Sequence, residues 1–319
     1  MTDALYGEQG FYRSPDGPAA HFRTSAHTGR LFAAAVAELL ERVDRALGYP
    51  PRLDLVDVGA GRGELLGAVA RLAAAGLSCA PRLRLTGVEV APRPGGLPAQ
   101  IAWTQEIPPV TGLLIANEWL DVVPVDVVEQ TGDGPRTVLV DRFGVESLGP
   151  PPAEADLAWL AQWWPLPQVG GRAEIGRSRD TAWAGALARV RRGLGVAVDY
   201  GHTKAERPPG GSLVGYRRGA AVLPVPDGTC DLTAHVAWDS CQAAEPGNLM
   251  TQRAALTDLG MSAARPPRAL AWRDPPAYLA ALRDVGEAAE LTDPGGLGGF
   301  GWLLCGVAMT VPLGSERVT

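Results

Sequence analysis

The chain has 319 residues, of which 46% are hydrophobic and 20% are charged, and its formal net charge at pH 7 is −6. This composition predicts a globular protein with an α/β core and argues against nucleic acid as a partner. The four cysteines show no C-x-x-C spacing, so neither a disulfide framework nor a metal site is expected. Because the N-terminus lacks a basic and apolar leader and no apolar run is long enough to span a membrane, we expect a cytoplasmic protein without membrane contact.

The first elements in chain order are an irregular arm and a helix. Residues 1–29 are polar, rich in glycine and aromatic residues, and show no clear period, which predicts an N-terminal arm. Apolar residues then recur at helical spacing, so a helix is predicted over residues 28–47 and is expected to end at the Gly-Tyr-Pro-Pro sequence that follows.

A glycine-rich turn follows the first predicted strand. Residues 53–58 are apolar at four of their six positions, which predicts a buried strand, and residues 64–75 predict the next helix. Glycines at alternate positions between them permit left-handed backbone conformations and let a ligand approach the main chain. Amides left free in this turn are expected to bind a carboxylate of that ligand. The residues predicted to border it are Asp57, Gly59, Ala60, Gly61 and Gly63.

The remaining strands complete an open, twisted sheet. Strands are predicted over residues 82–90, 101–103, 112–116, 195–199 and 302–311, and a helix is predicted over residues 181–192. A Rossmann-like, doubly wound α/β sheet with helices on both faces is the economical topology. Two long apolar segments, 146–180 and 206–289, exceed ordinary connections and predict an inserted cap or second lobe. The core is then expected over residues 30–145, 181–205 and 290–319.

An acidic residue ends the second predicted strand, where an open α/β sheet presents side chains to a ligand. Glu89 is expected to accept hydrogen bonds from both ribose hydroxyls of a nucleoside, and Val90 is expected to line the same site. Asp57 and Glu64 flank the glycine turn, where they would repel a pyrophosphate and favour a cation. The predicted cofactor is therefore S-adenosylmethionine (SAM). An NAD site and a plain structural turn are the alternatives.

A second polar cluster follows the fourth predicted strand and is expected beside the same cleft. Asn117 is expected to contact the cofactor near its sulfonium. Glu118 and Asp121 are expected to orient a nitrogen acceptor and to accept a proton during methyl transfer. The alternative is that Asn117 and Asp121 cap a following helix, and for Asp121 both interpretations stay open.

Polar residues elsewhere predict an acceptor pocket. Two of them follow the fifth strand, one lies in the sequence DLTAHV, and one lies in the arm. These substrate candidates are Asp199, Tyr200, His235 and His21. Thr24 and Ser25 in the arm are expected to close over the cofactor, with a flexible polar arm as the alternative. Asp231, which begins DLTAHV, is also typical of a helix N-cap.

Taken in chain order, these motifs resemble the MidA-like family of SAM-dependent methyltransferases. The matching motifs are FRTS at 22–25, DVGAGRG at 57–63, NEWLDVVP at 117–124, EI at 174–175, DYG at 199–201 and DLTAHV at 231–236. The resemblance implies a class I methyltransferase core with an added lobe, and SAM as methyl donor. The mitochondrial members of this family are arginine methyltransferases needed for respiratory complex I assembly, which implies a protein arginine as acceptor.

The arm departs from the family pattern on both sides of its Thr-Ser pair. AHF stands before the pair where the family has GDF, and AH follows it where the family has PE. We therefore predict a SAM-dependent methyltransferase that acts on a nitrogen acceptor such as a protein arginine. A small-metabolite methyltransferase and a SAM-binding assembly factor without turnover are the alternatives. The expected partner is the protein or small-molecule acceptor, and a homodimer is compatible with the sequence.

Overall fold

The structure, a computed structural model, describes residues 1–13 and 29–314 of the chain. Its helices are α1 (Thr2–Tyr6), α2 (Arg30–Ala46), α3 (Glu64–Gly76), α4 (Glu154–Trp163), α5 (Arg177–Leu187), α6 (Trp238–Ala244), α7 (Gln252–Asp258), α8 (Arg268–Arg273) and α9 (Pro275–Thr292). Its strands are β1 (Leu53–Val58), β2 (Leu83–Val88), β3 (Ile101–Thr104), β4 (Val110–Asn117), β5 (Val127–Thr131), β6 (Gly134–Val140), β7 (Glu146–Leu148), β8 (Arg172–Glu174), β9 (Val190–Asp199), β10 (Gly201–His202), β11 (Val214–Arg217), β12 (Ala220–Val222), β13 (Asp231–Thr233), β14 (Val236–Ala237), β15 (Asn248–Thr251) and β16 (Gly301–Val307). Three residues predicted at the cofactor and substrate sites, His21, Thr24 and Ser25, lie outside the described residues.

Seven strands form the central sheet in the order β15-β16-β9-β4-β1-β2-β3. β1 pairs in parallel with β2 on one side and with β4 on the other, and β4 pairs in parallel with β9. β16 runs antiparallel to β9, and β15 runs antiparallel to β16. The strand order reverses between β1 and β4, and such a switch point creates a crevice at the carboxyl ends of the strands. The predicted open α/β sheet is confirmed.

The first strand is buried along its whole length because the sheet is covered on both faces. Leu53 and Leu55 pack in the cluster that contains residues of α2 and α3. Val56 and Val58 pack in the opposite cluster, which contains residues of α5 and α6. Alternate residues of a strand point to opposite faces, so a strand between two helical layers requires apolar residues on both faces. Asp54 and Asp57 interrupt the apolar sequence of β1 but are buried with it.

The helices follow the predicted apolar periods with one correction. α2 lies within the predicted range 28–47 and buries one face that includes Phe32, Val36 and Val43. The helix predicted over residues 181–192 is wrong at both ends, since α5 begins at Arg177 and ends at Leu187, and β9 begins at Val190. Pairing of β9 with β4 overrides the local helical pattern there. Within the described part of the chain, no helix is long and apolar enough to cross a membrane.

Outside the central sheet, the predicted insertions contribute a three-stranded sheet and two strands, β7 and β8, that pair with β6 and β5 of the predicted core range. Strands β7-β6-β5-β8 form a four-stranded sheet, and β12-β11-β13 form a three-stranded sheet. Trp159, Leu160 and Trp164 pack with Val128 and Ala173 in a separate apolar cluster. β15, although it falls in the range 206–289, pairs with β16 in the central sheet and so does not belong to a cap. The rest of the expected division into core and cap stays a prediction.

Candidate active site

One pocket, of about 310 Å³, lies at the carboxyl ends of β1, β2 and β4. It is lined by the glycine turn, by the residues after β2 and β4, and by residues of the N-terminal segment. The predicted residues among them are Asp57, Gly59, Ala60, Gly61, Glu89, Val90, Asn117 and Glu118. Gly63 does not line the pocket but lies against Leu97, where an added Cβ would be 2.7 Å from Leu97 Cδ1. The sequence therefore brings most of the expected cofactor residues to one crevice.

The glycine turn is held by hydrogen bonds within the protein. Gly59, with φ of 73°, and Ala60 donate their amide hydrogens to the Val88 carbonyl at 3.0 and 3.2 Å. Gly61 donates to Glu89 Oε2 at 3.0 Å. The Arg62 amide donates to Glu64 Oε2 at 2.9 Å, and the Gly63 amide donates to the Ala60 carbonyl at 2.8 Å. The expectation that free amides of this turn bind a ligand carboxylate is therefore wrong.

The Glu89 carboxylate accepts three backbone hydrogen bonds at the end of β2. The donors are Gly61 to Oε2, and Val90 and Ala91 to Oε1, at 3.0, 2.7 and 3.3 Å. Burial raises the pKa of Glu89 above its ordinary value, and these amide donors act against that rise. Two carboxylate oxygens offer about four lone-pair positions, so Glu89 keeps capacity for a hydroxyl donor from the pocket.

Carboxyl groups dominate the polar lining of the pocket. Asp57 is only 4% exposed, and its burial together with the charges of Glu64 and Glu89 raises its pKa to about 8. Glu64 and Glu118 line the same space. Among the lining residues in the described ranges, none carries a positively charged side chain. A cationic ligand is therefore favoured over an anionic one.

The chain turns sharply at the end of β4. Glu118 has φ of 50°, a left-handed conformation that costs a non-glycine residue about 1–2 kcal/mol. Its amide donates to the Val198 carbonyl at 2.7 Å, which holds the turn. Asn117 donates from Nδ2 to Glu118 Oε1 at 3.2 Å, while the buried Asn117 Oδ1 has no hydrogen-bond partner among the described residues. A strained backbone and an unpaired buried acceptor lie side by side at the pocket.

Asp121 lies behind this turn and is bound to the end of β9. Its carboxylate accepts a hydrogen bond from the Tyr200 hydroxyl, and its amide donates to Asp199 Oδ2 at 3.0 Å. Asp121 Oδ1 is buried and unpaired within the described part of the chain. The residues after Asp121 lead into β5 without a helix, so the helix-capping interpretation of Asn117 and Asp121 is wrong.

The acidic residues behind the pocket are surrounded by protein rather than by water. Burial, with the negative charges of Asp121 and Glu118, raises the pKa of Asp199 well above its ordinary value. Burial also raises the pKa of Asp121, against the lowering effects of the Tyr200 hydrogen bond and the Arg179 charge. Carboxyl groups with raised pKa values are suited to accept a proton near neutral pH.

Arg179 of α5 is a site residue that the sequence does not indicate. It is 1% exposed, and its guanidinium donates to four backbone carbonyls. The acceptors are Asp121 at 2.5 Å, Ala234 and His235 at 2.8 Å, and Val123 at 3.2 Å. The sequence around Arg179 does not distinguish this buried donor from an ordinary helical arginine, because most arginines are exposed to solvent.

The segment DLTAHV forms β13 and the start of β14, not a helix. Asp231 therefore caps no helix, and burial with the charge of Asp121 raises its pKa to about 8. The exposed His235 ring lies 5.2 Å from the Tyr200 ring between centroids. The structure thus brings His235 to Tyr200, and Tyr200 to Asp121, while their role in binding an acceptor stays a prediction.

Two tyrosines of the N-terminal segment line the pocket and were missed by sequence reasoning. The Tyr6 hydroxyl donates to the Val122 carbonyl at 3.1 Å, and the Tyr12 hydroxyl donates to Asp231 Oδ1 at 3.0 Å. The sequence feature that could have indicated them is the aromatic content of the arm, but these aromatic residues do not recur at a regular spacing. In the ranges that the structure describes, no group of three or more His, Cys, Asp and Glu side chains is arranged to hold a metal ion.

Comparison with known proteins gives one family and one fold. Residues 33–252 match the model of a family described as "Putative S-adenosyl-L-methionine-dependent methyltransferase". A COG1565 superfamily protein from Burkholderia thailandensis, bound to S-adenosyl-homocysteine, has a TM-score of 0.80 at 23% identity over 98% of this chain and 88% of that chain. A native crystal structure of a protein of that superfamily and organism has a TM-score of 0.80 at 23% identity, over 99% and 88%. No curated protein matches the chain.

Proposed function

Because this chain belongs to the S-adenosyl-L-methionine-dependent methyltransferase family, we propose that it transfers the methyl group of SAM to a nitrogen acceptor, with a protein arginine as the leading candidate. We place it in the MidA-like branch of that family on the motifs NEWLDVVP and DLTAHV. Its fold is that of a class I methyltransferase, with an open twisted sheet and helices on both faces.

The pocket beside the glycine turn has the chemistry that SAM requires. Its described lining combines carboxyl groups with apolar surface and lacks a basic side chain, which suits a positively charged nucleoside. Glu89 would bind the ribose hydroxyls, and the unpaired Asn117 Oδ1 would accept a hydrogen bond from an amino group. When bound, SAM supplies an electrophilic methyl group on its sulfonium.

The observation that carries the acceptor proposal is the unpaired Asp121 Oδ1, buried among other carboxyl groups. A buried acceptor atom without a donor costs about 1–3 kcal/mol, which an incoming N–H group would recover. The negative charge of Glu118, which acts on the neighbouring Asp199, favours a cationic nitrogen compound. A guanidinium offers both the charge and the paired N–H donors that carboxylates bind best.

Methylation of a nitrogen requires the loss of one of its protons. Asp121 is placed to take that proton, because its raised pKa makes the carboxylate a stronger base than an exposed aspartate. The Tyr200 hydroxyl donates to Asp121 Oδ2 and fixes the orientation of the carboxylate, so Oδ1 remains unpaired and able to accept the proton. The buried position of Asp121 also excludes water that would compete for the acceptor.

A labelling experiment tests this proposal. The purified protein is incubated with SAM carrying a tritium-labelled methyl group and with lysate of a host that lacks its gene. Labelled products are digested, and methylated amino acids are identified by mass spectrometry. We expect N-methylated arginine from the wild type and none from Asp121→Asn or Glu118→Gln, while calorimetry shows that both variants still bind SAM. Label found only on oxygen, or SAM binding without any label transfer, would contradict the proposal.

A further inference from the structure

We propose that Tyr6 and Tyr12 form an aromatic wall that recognises the positive charge of SAM, so that the pocket distinguishes SAM from the uncharged product S-adenosylhomocysteine (SAH). This inference rests on the proposed cofactor and on the proposed position of the acceptor beside Asp121, but not on the identity of the acceptor. It assigns a role to the N-terminal segment, which the family match over residues 33–252 does not include.

The two rings form one surface of the pocket. Tyr6 and Tyr12 are stacked with centroids 5.4 Å apart and planes inclined by 15°. Both line the pocket together with the glycine turn and Glu118. Leu5 and Phe11, their neighbours in sequence, are buried in an apolar cluster with residues of the second insertion, which fixes the segment in place. The aromatic wall is therefore a packed part of the fold.

The hydroxyl groups fix the aromatic wall at the boundary between the cofactor pocket and the acidic acceptor region. The Tyr6 hydroxyl is bonded to the Val122 carbonyl, one residue beyond Asp121. The Tyr12 hydroxyl is bonded to both carboxylate oxygens of Asp231, at 3.0 and 3.1 Å. A methyl group in transfer has to face the acceptor across this boundary, and the sulfonium that carries the methyl group holds the positive charge. The aromatic wall is thus located where that charge must lie.

Aromatic faces attract a methyl sulfonium without the reactivity of a carboxylate in direct contact with its methyl group. A carboxylate in contact with a methyl sulfonium presents an oxygen lone pair and is itself open to methylation. The face of an aromatic ring attracts a cation through its quadrupole without offering such a lone pair. Burial raises the pKa of both Tyr6 and Tyr12, and both hydroxyls are engaged as donors, so neither becomes a phenolate nucleophile.

Calorimetric titration of SAM and SAH tests the aromatic wall without any acceptor. The measured quantity is the ratio of the SAH dissociation constant to the SAM dissociation constant. We expect the wild type to prefer SAM, and Tyr6→Leu and Tyr12→Leu each to lower the ratio about 3- to 30-fold, the range for loss of a cation–π contact. Tyr6→Phe and Tyr12→Phe keep the ring but lose the hydrogen bonds that fix it, so each should lower the ratio less than the matching leucine variant. Tyr49→Leu, at an exposed tyrosine outside the pocket, is the matched control.

The outcomes separate charge recognition from simple packing. Equal losses of SAM and SAH affinity in the leucine variants would overturn the proposal, since they would indicate a wall without charge preference. Unchanged affinities would overturn it as well. If the leucine variants fail to fold by circular dichroism, the wild type alone decides, because equal affinity for SAM, SAH and the amine-bearing analogue sinefungin contradicts recognition of charge. Failure of this test leaves the nitrogen-acceptor proposal standing, because label transfer is measured separately.

Discussion

Arg179 donates a hydrogen bond from Nη2 to the carbonyl oxygen of Asp121 at 2.5 Å. From Nη1 the same guanidinium reaches the carbonyls of Ala234 and His235, both at 2.8 Å. One buried side chain thereby connects the turn after β4 with the segment between β13 and β14. Within the described ranges no carboxylate accepts a hydrogen bond from it, so its charge acts on Asp121 through space.

Replacing Arg179 by methionine should lower stability and also change the chemistry of Asp121. The variant leaves several buried carbonyls without donors, and each costs about 1–3 kcal/mol in the free energy of unfolding. Loss of the positive charge should raise the pKa of Asp121 further. Urea denaturation measures the first effect, and the acidic limb of the pH profile of label transfer measures the second.

Arg179→Lys is the matched control, since it retains the charge but not the planar set of donors. Its free energy of unfolding should fall as in the methionine variant. The acidic limb of its pH profile of label transfer should lie at the same pH as in the wild type. A shift of that limb in the lysine variant as large as in the methionine variant would contradict a role for the charge.

Glu89→Ala should weaken SAM binding about 10- to 100-fold, because hydrogen bonds to a charged group contribute about 1.5–3 kcal/mol. The substitution also removes the acceptor of the Gly61 amide, which loosens the glycine turn. Calorimetry measures the affinity, with Glu106→Ala as control at an exposed position outside the pocket lining. An affinity equal to that of the wild type would mean that the ribose lies elsewhere.

The central sheet and the main pocket residues could be predicted because their signals are local. β1 has apolar residues on both faces, the glycine turn follows it directly, and Glu89 comes directly after the next strand. Each of these features can be recognised from a few consecutive residues. Chain order then brings them together, since parallel strands end at the same edge of the sheet.

What could not be predicted joins residues that are far apart in sequence. The glycine turn has no free amides because Glu89, the expected ribose acceptor, also binds the Gly61 amide. Tyr12 meets Asp231, and Arg179 meets Ala234, only after the second insertion has folded. No periodicity reports such a contact, because hydrogen bonds between irregular segments have no repeating pattern.

Asp57 should make the protein less stable as pH rises. Its pKa is about 8 in the folded protein and 3.8 as an ordinary value, so the folded state holds a proton that the unfolded state releases. The free energy of unfolding therefore falls with rising pH between these two values and levels off above about 8. Asp57→Asn does not titrate, so its stability relative to wild type should increase across that window.

Urea denaturation at about pH 5 and about pH 8 measures this difference. Other carboxyl groups with raised pKa, such as Asp231, titrate in both proteins and cancel. Asp133→Asn, at an exposed position, is the control and should show a constant difference from wild type. A constant difference for Asp57→Asn as well would rule out the buried, protonated carboxyl.

Substitutions at two glycines with the same φ angle distinguish the cost of backbone strain from the cost of a steric clash at the pocket. Gly48 and Gly59 both have φ of 73°, but an added Cβ meets nothing within 4 Å at Gly48 and lies 3.0 Å from Trp119 Cδ1 at Gly59. Gly48→Ala should cost only the left-handed conformation, about 1–2 kcal/mol. Gly59→Ala should cost more and should also weaken SAM binding, because Trp119 lines the pocket and must move. Equal losses of stability with unchanged SAM affinity would show that Trp119 yields freely and does not shape the site.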